Sequence, residues 1–290
     1  MEPLELLRED PYVLFKEARE MAKNKPTKFA SGALIDTYCS SNPPCRHCRW
    51  RFLEKFNPGF RRVMPKPEII SRALHAEREG IDWLFMPSGC KGSHLPDYFY
   101  DDVRDIKRNS GIELYGLFGT TDRKSLSLLK EAGMDGFRCG IESPNESILK
   151  EVRPSDDLHA RVRTIRDAKD MGLKVWSGFI VGLGESREDI ARGMKLLKEL
   201  AVDSVSLGWF EPSPFTEMEQ NDPPNPFWAA KVMAAMRIYL GDIDMLGHWR
   251  NNNPEWGFRA GCNGALAEPN SVELEKLRKM REFINALEEG

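Results

Sequence analysis

The chain has 290 residues, a formal net charge of −3 and 30% charged residues with both signs interspersed. That length suits one (β/α)8 barrel or two small domains and is enough for a sizeable core. The charge balance excludes a general nucleic-acid binder, and no apolar stretch is long enough to span a membrane. Residues 11–23 have amphipathic helical spacing, expected to cap the bottom of the core. The run Ala33-Leu34-Ile35-Asp36-Thr37-Tyr38 predicts a first strand. Residues 67–79 predict a helix with Pro67 at its start and Gly80 at its end. Residues 81–86 predict a second strand, ending in Pro87-Ser88-Gly89-Cys90-Lys91-Gly92-Ser93, and residues 96–109 the next helix. Residues 112–118, 136–142, 173–181 and 202–207 predict strands three to six, with helices at 122–132, 158–171 and 186–200. Ser143-Pro144-Asn145-Glu146 reads as a capping box opening a helix. A Pro-rich loop at 212–226 leads to a helix at 227–240, and strands at 242–246 and 258–262 precede a closing helix at 271–287.

Eight strands alternating with helices argue for an α/β protein with a parallel sheet, closed at this length as a single (β/α)8 TIM-type barrel. The expected organisation is an N-terminal helical extension, 1–30, and a barrel domain, 31–290. In such barrels active residues gather at the C-terminal ends of the strands. Those ends carry three cysteines after the first strand and Ser88-Gly89 after the second, a small turn where backbone approaches a ligand. The fourth ends in Glu142-Ser143 and the fifth in Gly178-Phe179-Ile180-Val181-Gly182-Leu183-Gly184-Glu185. The glycines there let a flat ring lie against backbone, and their spacing differs from a dinucleotide-binding GxGxxG turn.

The cysteine loop runs Cys39-x5-Cys45-x2-Cys48, with Pro43 and Pro44 stiffening it. Three thiolates can hold three corners of a four-iron cluster and leave the fourth iron open to a small molecule. Cys45-x2-Cys48 alone also matches half of a zinc site or a redox pair, although His47 is adjacent to Cys48 and no second Cys or His pair completes it. The acidic start Met1-Glu2-Pro3-Leu4-Glu5 is unlike a signal peptide, so a cytoplasmic protein is expected, with metal-ligating or buried thiols rather than disulfides.

Taken together and in this order, the three-cysteine loop, the small turn, the carboxylate ending strand four and Gly178-x-Ile180-x-Gly182-x-x-Glu185 resemble the radical S-adenosylmethionine (SAM) enzymes of the biotin synthase-like branch over roughly residues 30–265. Two departures matter. Biotin synthases carry three further cysteines on barrel strands, and the matching positions here are near Phe85, Tyr115 and Trp176, none of which offers the thiolate that an iron–sulfur cluster takes. Most relatives space the first two cysteines by three residues. The x5 spacing is instead similar to the HmdB (HcgA) type, which implies a role in forming the pyridinol ring of the iron-guanylylpyridinol cofactor of Hmd hydrogenase. The alternatives are a methylornithine synthase-like or HydE-like reaction on a small anionic substrate, or, outside the class, a non-enzymatic iron–sulfur or zinc module.

The resemblance implies that Cys39, Cys45 and Cys48 ligate a [4Fe–4S] cluster, that SAM binds its open iron, and that an electron from an external donor cleaves SAM to a 5′-deoxyadenosyl radical. It places His47 beside adenine, Glu142 at the ribose or amino group, Ser143 near SAM unless it only caps the helix, and Arg161 at the SAM carboxylate. Gly178, Ile180 and Gly182 would form the adenine shelf, with Glu185 shaping the turn. Alternation puts Arg138, Gly140 and Glu142 on one strand face. A buried Arg138 needs an anion, either a small polar substrate's, SAM's or Glu142 itself. Arg138 and Glu142 are therefore the candidate catalytic residues, and His248, Trp249 and Arg250 are expected to line the substrate cavity. Cys90, Cys139 and Cys262 read as packing thiols rather than a second cluster, with Cys139 facing the helices.

Overall fold

Eight parallel strands close on themselves in chain order: β1 (Lys28–Gly32), β2 (Trp83–Pro87), β3 (Glu113–Leu117), β4 (Gly136–Arg138), β5 (Lys174–Val181), β6 (Ser204–Trp209), β7 (Asp244–Gly247) and β8 (Gly264–Leu266). The computed structural model describes residues 1–48, 50, 53, 56–60, 62–247 and 254–287, so His248, Trp249 and Arg250 lie outside the described residues. The barrel closes where Lys28 pairs with Gly264. A Cβ on Gly264 would sit 2.0 Å from the Lys28 carbonyl, so only glycine lets the last strand reach the first. An outer layer of helices follows: α1 (Pro3–Leu6), α2 (Pro11–Ala22), α3 (Lys66–Arg78), α4 (Asp97–Asn109), α5 (Arg123–Glu131), α6 (Glu146–Val152), α7 (Leu158–Asp170), α8 (Arg187–Glu199), α9 (Pro226–Leu240), α10 (Pro254–Arg259) and α11 (Ser271–Ala286). None of these is long and apolar enough to cross a membrane.

Three expectations are corrected. The first strand lies at Lys28–Gly32, before the apolar run 33–38, which crosses the barrel rim bonded to the end of β2 through Ala33 N to Phe85 O (2.9 Å) and Ile35 N to Pro87 O (3.1 Å). Residues 258–262 are the end of α10 and a turn, and the eighth strand is the three-residue Gly264–Leu266. The helix after β4 is capped by Asn145, whose side chain accepts from Ser147 N and Ile148 N, instead of by Ser143. Phe15 packs edge-on against Phe227 at 5.5 Å and beside Trp256 at 6.0 Å, which seats α2 on α9 and α10.

The barrel interior is filled by Ala30, Trp83, Tyr115, Trp176 and Leu246. Trp83, Tyr115 and Trp176 have ring centroids 5.3–6.1 Å apart, in tilted and edge-on arrangements that aromatic quadrupoles favour. Gly136 makes room for Tyr115, since a Cβ there would be 2.3 Å from its ring. At the opposite end, fully buried Arg237 donates to the carbonyls of Gly261 (2.8 Å) and Gly241 (3.1 Å) and to Asn263 Oδ1 (3.1 Å). Arg281 of α11 donates to Ala22 O (3.0 Å) and Asn263 O (2.9 Å), tying both termini to the barrel base.

One helix carries a buried carboxyl. Burial, reinforced by Asp105 and Asp101, pushes Asp102 of α4 up to about 6 against the pull of Lys66. A folded-state value above the unfolded one means that stability is present at low pH and is lost as pH rises through the folded value. Asp102→Asn is therefore expected to be more stable than the wild type by about 2–3 kcal/mol at pH 8, the gap closing toward pH 4, as measured by urea unfolding at both pH values.

Candidate active site

One buried carboxylate fixes the approach to the cysteine loop. Asp36, fully buried, accepts from Lys91 Nζ (2.5 Å), Ser88 Oγ (3.1 Å), the Tyr38 amide (3.1 Å) and the Tyr98 hydroxyl. Buried charge persists only when paired and hydrogen-bonded, and Lys91, with a side chain 9% exposed, supplies the counter-charge. The segment before the cysteines is thereby clamped to the loop after β2. Gly89 packs so closely that a Cβ would be 2.2 Å from the Tyr38 carbonyl. Ser88 is thus held by Asp36 and Gly89 O, and the glycine at 89 is required by the neighbouring loop. Sequence reasoning missed Asp36, Lys91 and Tyr98. The only local signal was a lone Asp inside an apolar run.

Farther along the loop, Arg46 N donates to Val152 O at the end of α6 (2.8 Å), and its guanidinium pairs with Glu151 (3.0 Å) and Glu217 (2.9 Å). Cys45 is buried, while Cys39 and Cys48 are half-buried. Among the described residues no three His, Cys, Asp or Glu side chains converge as the ligands of one metal ion. A four-iron cluster makes a different demand, because each thiolate binds a separate iron. Cys90, read from sequence as packing, stands at this loop instead: it hydrogen-bonds to Cys39, and its carbonyl accepts from Ser40 N at 2.8 Å. That bond holds the Cys39 thiol below the usual range, while the same bond and burial push Cys90 up. Cys139 and Cys262, both 1% exposed, are packing residues in the helical layer, as expected.

Past β4 the chain keeps pairing with β5, through Ile141 N to Gly178 O and Ile180 N to Glu142 O, both 2.8 Å. Glu142 sits there at φ 61°, a left-handed conformation that costs a non-glycine residue about 1–3 kcal/mol and concentrates at functional sites. Two arginines hold its carboxylate: Arg153 Nη1 at 2.9 Å and Arg161 Nη1 at 3.0 Å. Burial works against ionisation, but Arg153, Arg161 and His47 together keep Glu142 below the usual carboxylate range. Arg161 is 1% exposed and also donates to Asp156 through Nε (2.9 Å) and Nη2 (2.5 Å) and to Gly140 O (2.5 Å). It stands as the post that fixes Glu142. Arg153, which sequence reasoning did not single out, faces Glu142, Asp156 and the cysteine loop, with Nη2 3.9 Å from Cys90 Sγ.

His47 is pushed down to about 4, chiefly by burial and then by Arg153. Its Nδ1 is buried with no hydrogen-bond partner among the described residues, which in a native site calls for an explanation such as a bound group. Gly178 crosses β6 so tightly that a Cβ would be 1.7 Å from Ser206 O. Gly182, at φ 92°, faces Pro224, and Glu185 shapes this turn by accepting from Gly182 N (2.7 Å) and Leu183 N (2.8 Å). Ser143 is fully buried and hydrogen-bonded to Asn145.

A cavity of about 300 Å³ opens at this end of the barrel, lined by Arg138, Gly140, Glu142, Gly178, Ile180 and Ser206 among others. The Arg138 guanidinium lies 4.1 Å from the Trp176 ring centroid and 5.2 Å from that of Phe85, a cation–π stack on the aromatic filling. Burial pulls Arg138 down to about 10, still cationic at neutral pH.

Against known proteins, the model of the Radical SAM superfamily matches residues 36–197. The chain is 27% identical over 267 residues to the biotin synthase of Thermodesulfovibrio yellowstonii, covering 88% of this chain and 82% of that protein. It is 28% identical over 207 residues to the [FeFe] hydrogenase maturase subunit HydE of Thermotoga maritima, covering 71% of this chain and 59% of that one. In fold it is similar to methylornithine synthase, with a TM-score of 0.85 at 17% identity over 97% of this chain and 90% of the other. A family match over more than half of the chain, on a closed parallel barrel whose cysteine loop and strained carboxylate share one rim, makes this protein a member of the radical SAM superfamily, enzymes that use a [4Fe–4S] cluster and SAM.

Proposed function

We propose that this radical SAM enzyme acts on a small polar, anionic substrate in forming the pyridinol ring of the iron-guanylylpyridinol cofactor of Hmd hydrogenase. The observation that carries the substrate class is Arg138, a guanidinium stacked on Trp176 and Phe85 and lining the cavity. The x5 spacing of Cys39 and Cys45 supports the finer assignment. Phe85, Tyr115 and Trp176 belong to one packed aromatic group, which speaks against a second, sulfur-donating cluster at those strands.

The residues fit the cofactors. Three thiols of one loop, Cys39, Cys45 and Cys48, would hold the cluster, and His47 Nδ1, which has no partner among the described residues, and the Glu142 carboxylate would receive SAM beside Gly178 and Ile180 of β5 and Gly182 just after it. When bound, the cluster and SAM would supply radical hydrogen-abstraction chemistry at the substrate. The chain's own work is placement. Arg161 and Arg153 keep Glu142 ionised as a hydrogen-bond acceptor, Arg138 anchors the substrate anion, and the aromatic filling closes the barrel below to water. Arg138→Leu is expected to retain the cluster and to cleave SAM without substrate at the wild-type rate, while substrate-dependent turnover falls at least about 100-fold, the scale of a lost buried charge-assisted contact.

The assignment is tested by hydrogen transfer. The reduced enzyme is incubated with SAM and deuterated carboxylated precursors of a pyridinol ring, and 5′-deoxyadenosine is examined by mass spectrometry. Deuterium in 5′-deoxyadenosine supports the reading. Deuterium arriving only from an aliphatic amino acid replaces it with a methylornithine synthase-like reaction.

A further inference from the structure

Cys90 is a thiol at the cysteine loop that the proposed cluster set does not use. Its backbone and that of Cys39 are in contact: Ser40 N and Oγ both donate to Cys90 O, at 2.8 and 2.9 Å, and a Cβ on Gly89 would be 2.7 Å from Cys39 Cα. From the far side Gly119 packs on Cys90, where a Cβ would lie 2.6 Å from its sulfur. Disulfides require Cα atoms within about 4.4–6.8 Å, and these contacts put the two cysteines on adjoining backbones.

We propose that Cys39 and Cys90 are a redox-sensitive pair: in the cluster-free chain a small-molecule disulfide joins them, withdrawing Cys39 from the cluster set until a thiol reductant releases it. Cys39 sulfur attacks glutathione disulfide and expels one glutathione thiolate. Cys90 then gives up its proton and attacks the mixed disulfide at the Cys39 sulfur, expelling the second. One S–S bond forms within the chain, the two cysteines are oxidised, and glutathione disulfide is reduced to two thiols. The consequence for assembly rests on the reading of Cys39 as a cluster ligand; the bond itself does not.

The test incubates cluster-free wild-type protein anaerobically with glutathione disulfide, blocks and counts the remaining thiols, and maps the peptides by mass spectrometry. Two of the six thiols are expected to disappear into a Cys39–Cys90 linkage. Iron and sulfide uptake without reductant should fall to background and return after dithiothreitol, while Cys90→Ser keeps its uptake through the same treatment. A Cys45–Cys48 linkage, retained glutathione or six intact thiols overturns the pair. Equal loss of uptake in Cys90→Ser overturns its role in assembly. If untreated protein assembles no cluster at all, the cluster reading fails, and the peptide map alone decides the pair.

Discussion

Cys45→Ala should reduce SAM cleavage to background, a loss well beyond the roughly 10–100-fold that follows from disturbing groups outside the ligand set of a metal site. The check is 5′-deoxyadenosine formed by reduced, reconstituted protein. The expected size of the effect follows from where Cys45 sits. It is the buried member of the three thiols, between Arg46, which is anchored to Val152 O and to two carboxylates, and the segment held by Asp36. No other described thiol lies on that stretch of loop between Cys39 and Cys48, and Cys90 approaches from the β2 side against Cys39. The fold should be unaffected, because Cys45 belongs to none of the packed apolar groups of the barrel.

Arg161→Met should destabilise the protein by about 3–5 kcal/mol, the usual consequence of removing one partner of a buried ion pair. Arg161 has a side chain 2% exposed and faces two carboxylates, Glu142 at 3.0 Å and Asp156 at 2.5 Å. Without it, Arg153 would be left as the ion-pair partner of both among the described residues. The pH dependence gives an independent reading. For Glu142 and for Asp156 burial opposes ionisation, but the arginines outweigh it and hold both below the usual carboxylate range. A lowered folded-state value means stability that is present above the unfolded values, about 3.9 for Asp and 4.3 for Glu, and lost as pH falls through the folded ones. Arg161→Met should therefore lie furthest below the wild type near neutral pH and draw closer to it in acid. Urea unfolding at pH 7 and pH 3.5 measures both. The strained φ of Glu142 adds to the effect, since that conformation persists only while its surroundings enforce it.

Much of the barrel was legible because strands β2 to β6 are apolar runs between helices that end in glycine or open with a capping side chain, such as Asp122, Asp157 and Ser186. The misplaced first strand has a physical cause. Lys28–Gly32 reads Lys-Phe-Ala-Ser-Gly, small residues fitted against neighbours, with Gly32 leaving room for the Phe85 ring. The more strand-like run 33–38 is apolar because it is buried over the rim. The eighth strand is only three residues and carries no period to read. At the site, spacing marked the cysteine loop and Glu142 as candidates, since both stand at strand ends that the sequence shows. Asp36, Lys91 and Tyr98 come together across 62 residues of chain, and Arg153 matters through partners brought to it by the fold. Such networks leave no local pattern. For Arg161, type and place on α7 suggested a cofactor contact, while its burial and its bonds to Asp156 and Gly140 had no local signal.

The most direct measurement is anaerobic reconstitution with iron and sulfide, followed by reduction with dithionite, addition of SAM, and assay of iron content and 5′-deoxyadenosine in wild type and Cys45→Ala side by side. The wild type should bind about four irons per chain and form 5′-deoxyadenosine, and the variant should form none. Zinc bound in place of a cluster, or equal 5′-deoxyadenosine from both proteins, would contradict the assignment of Cys39, Cys45 and Cys48 as the cluster ligands.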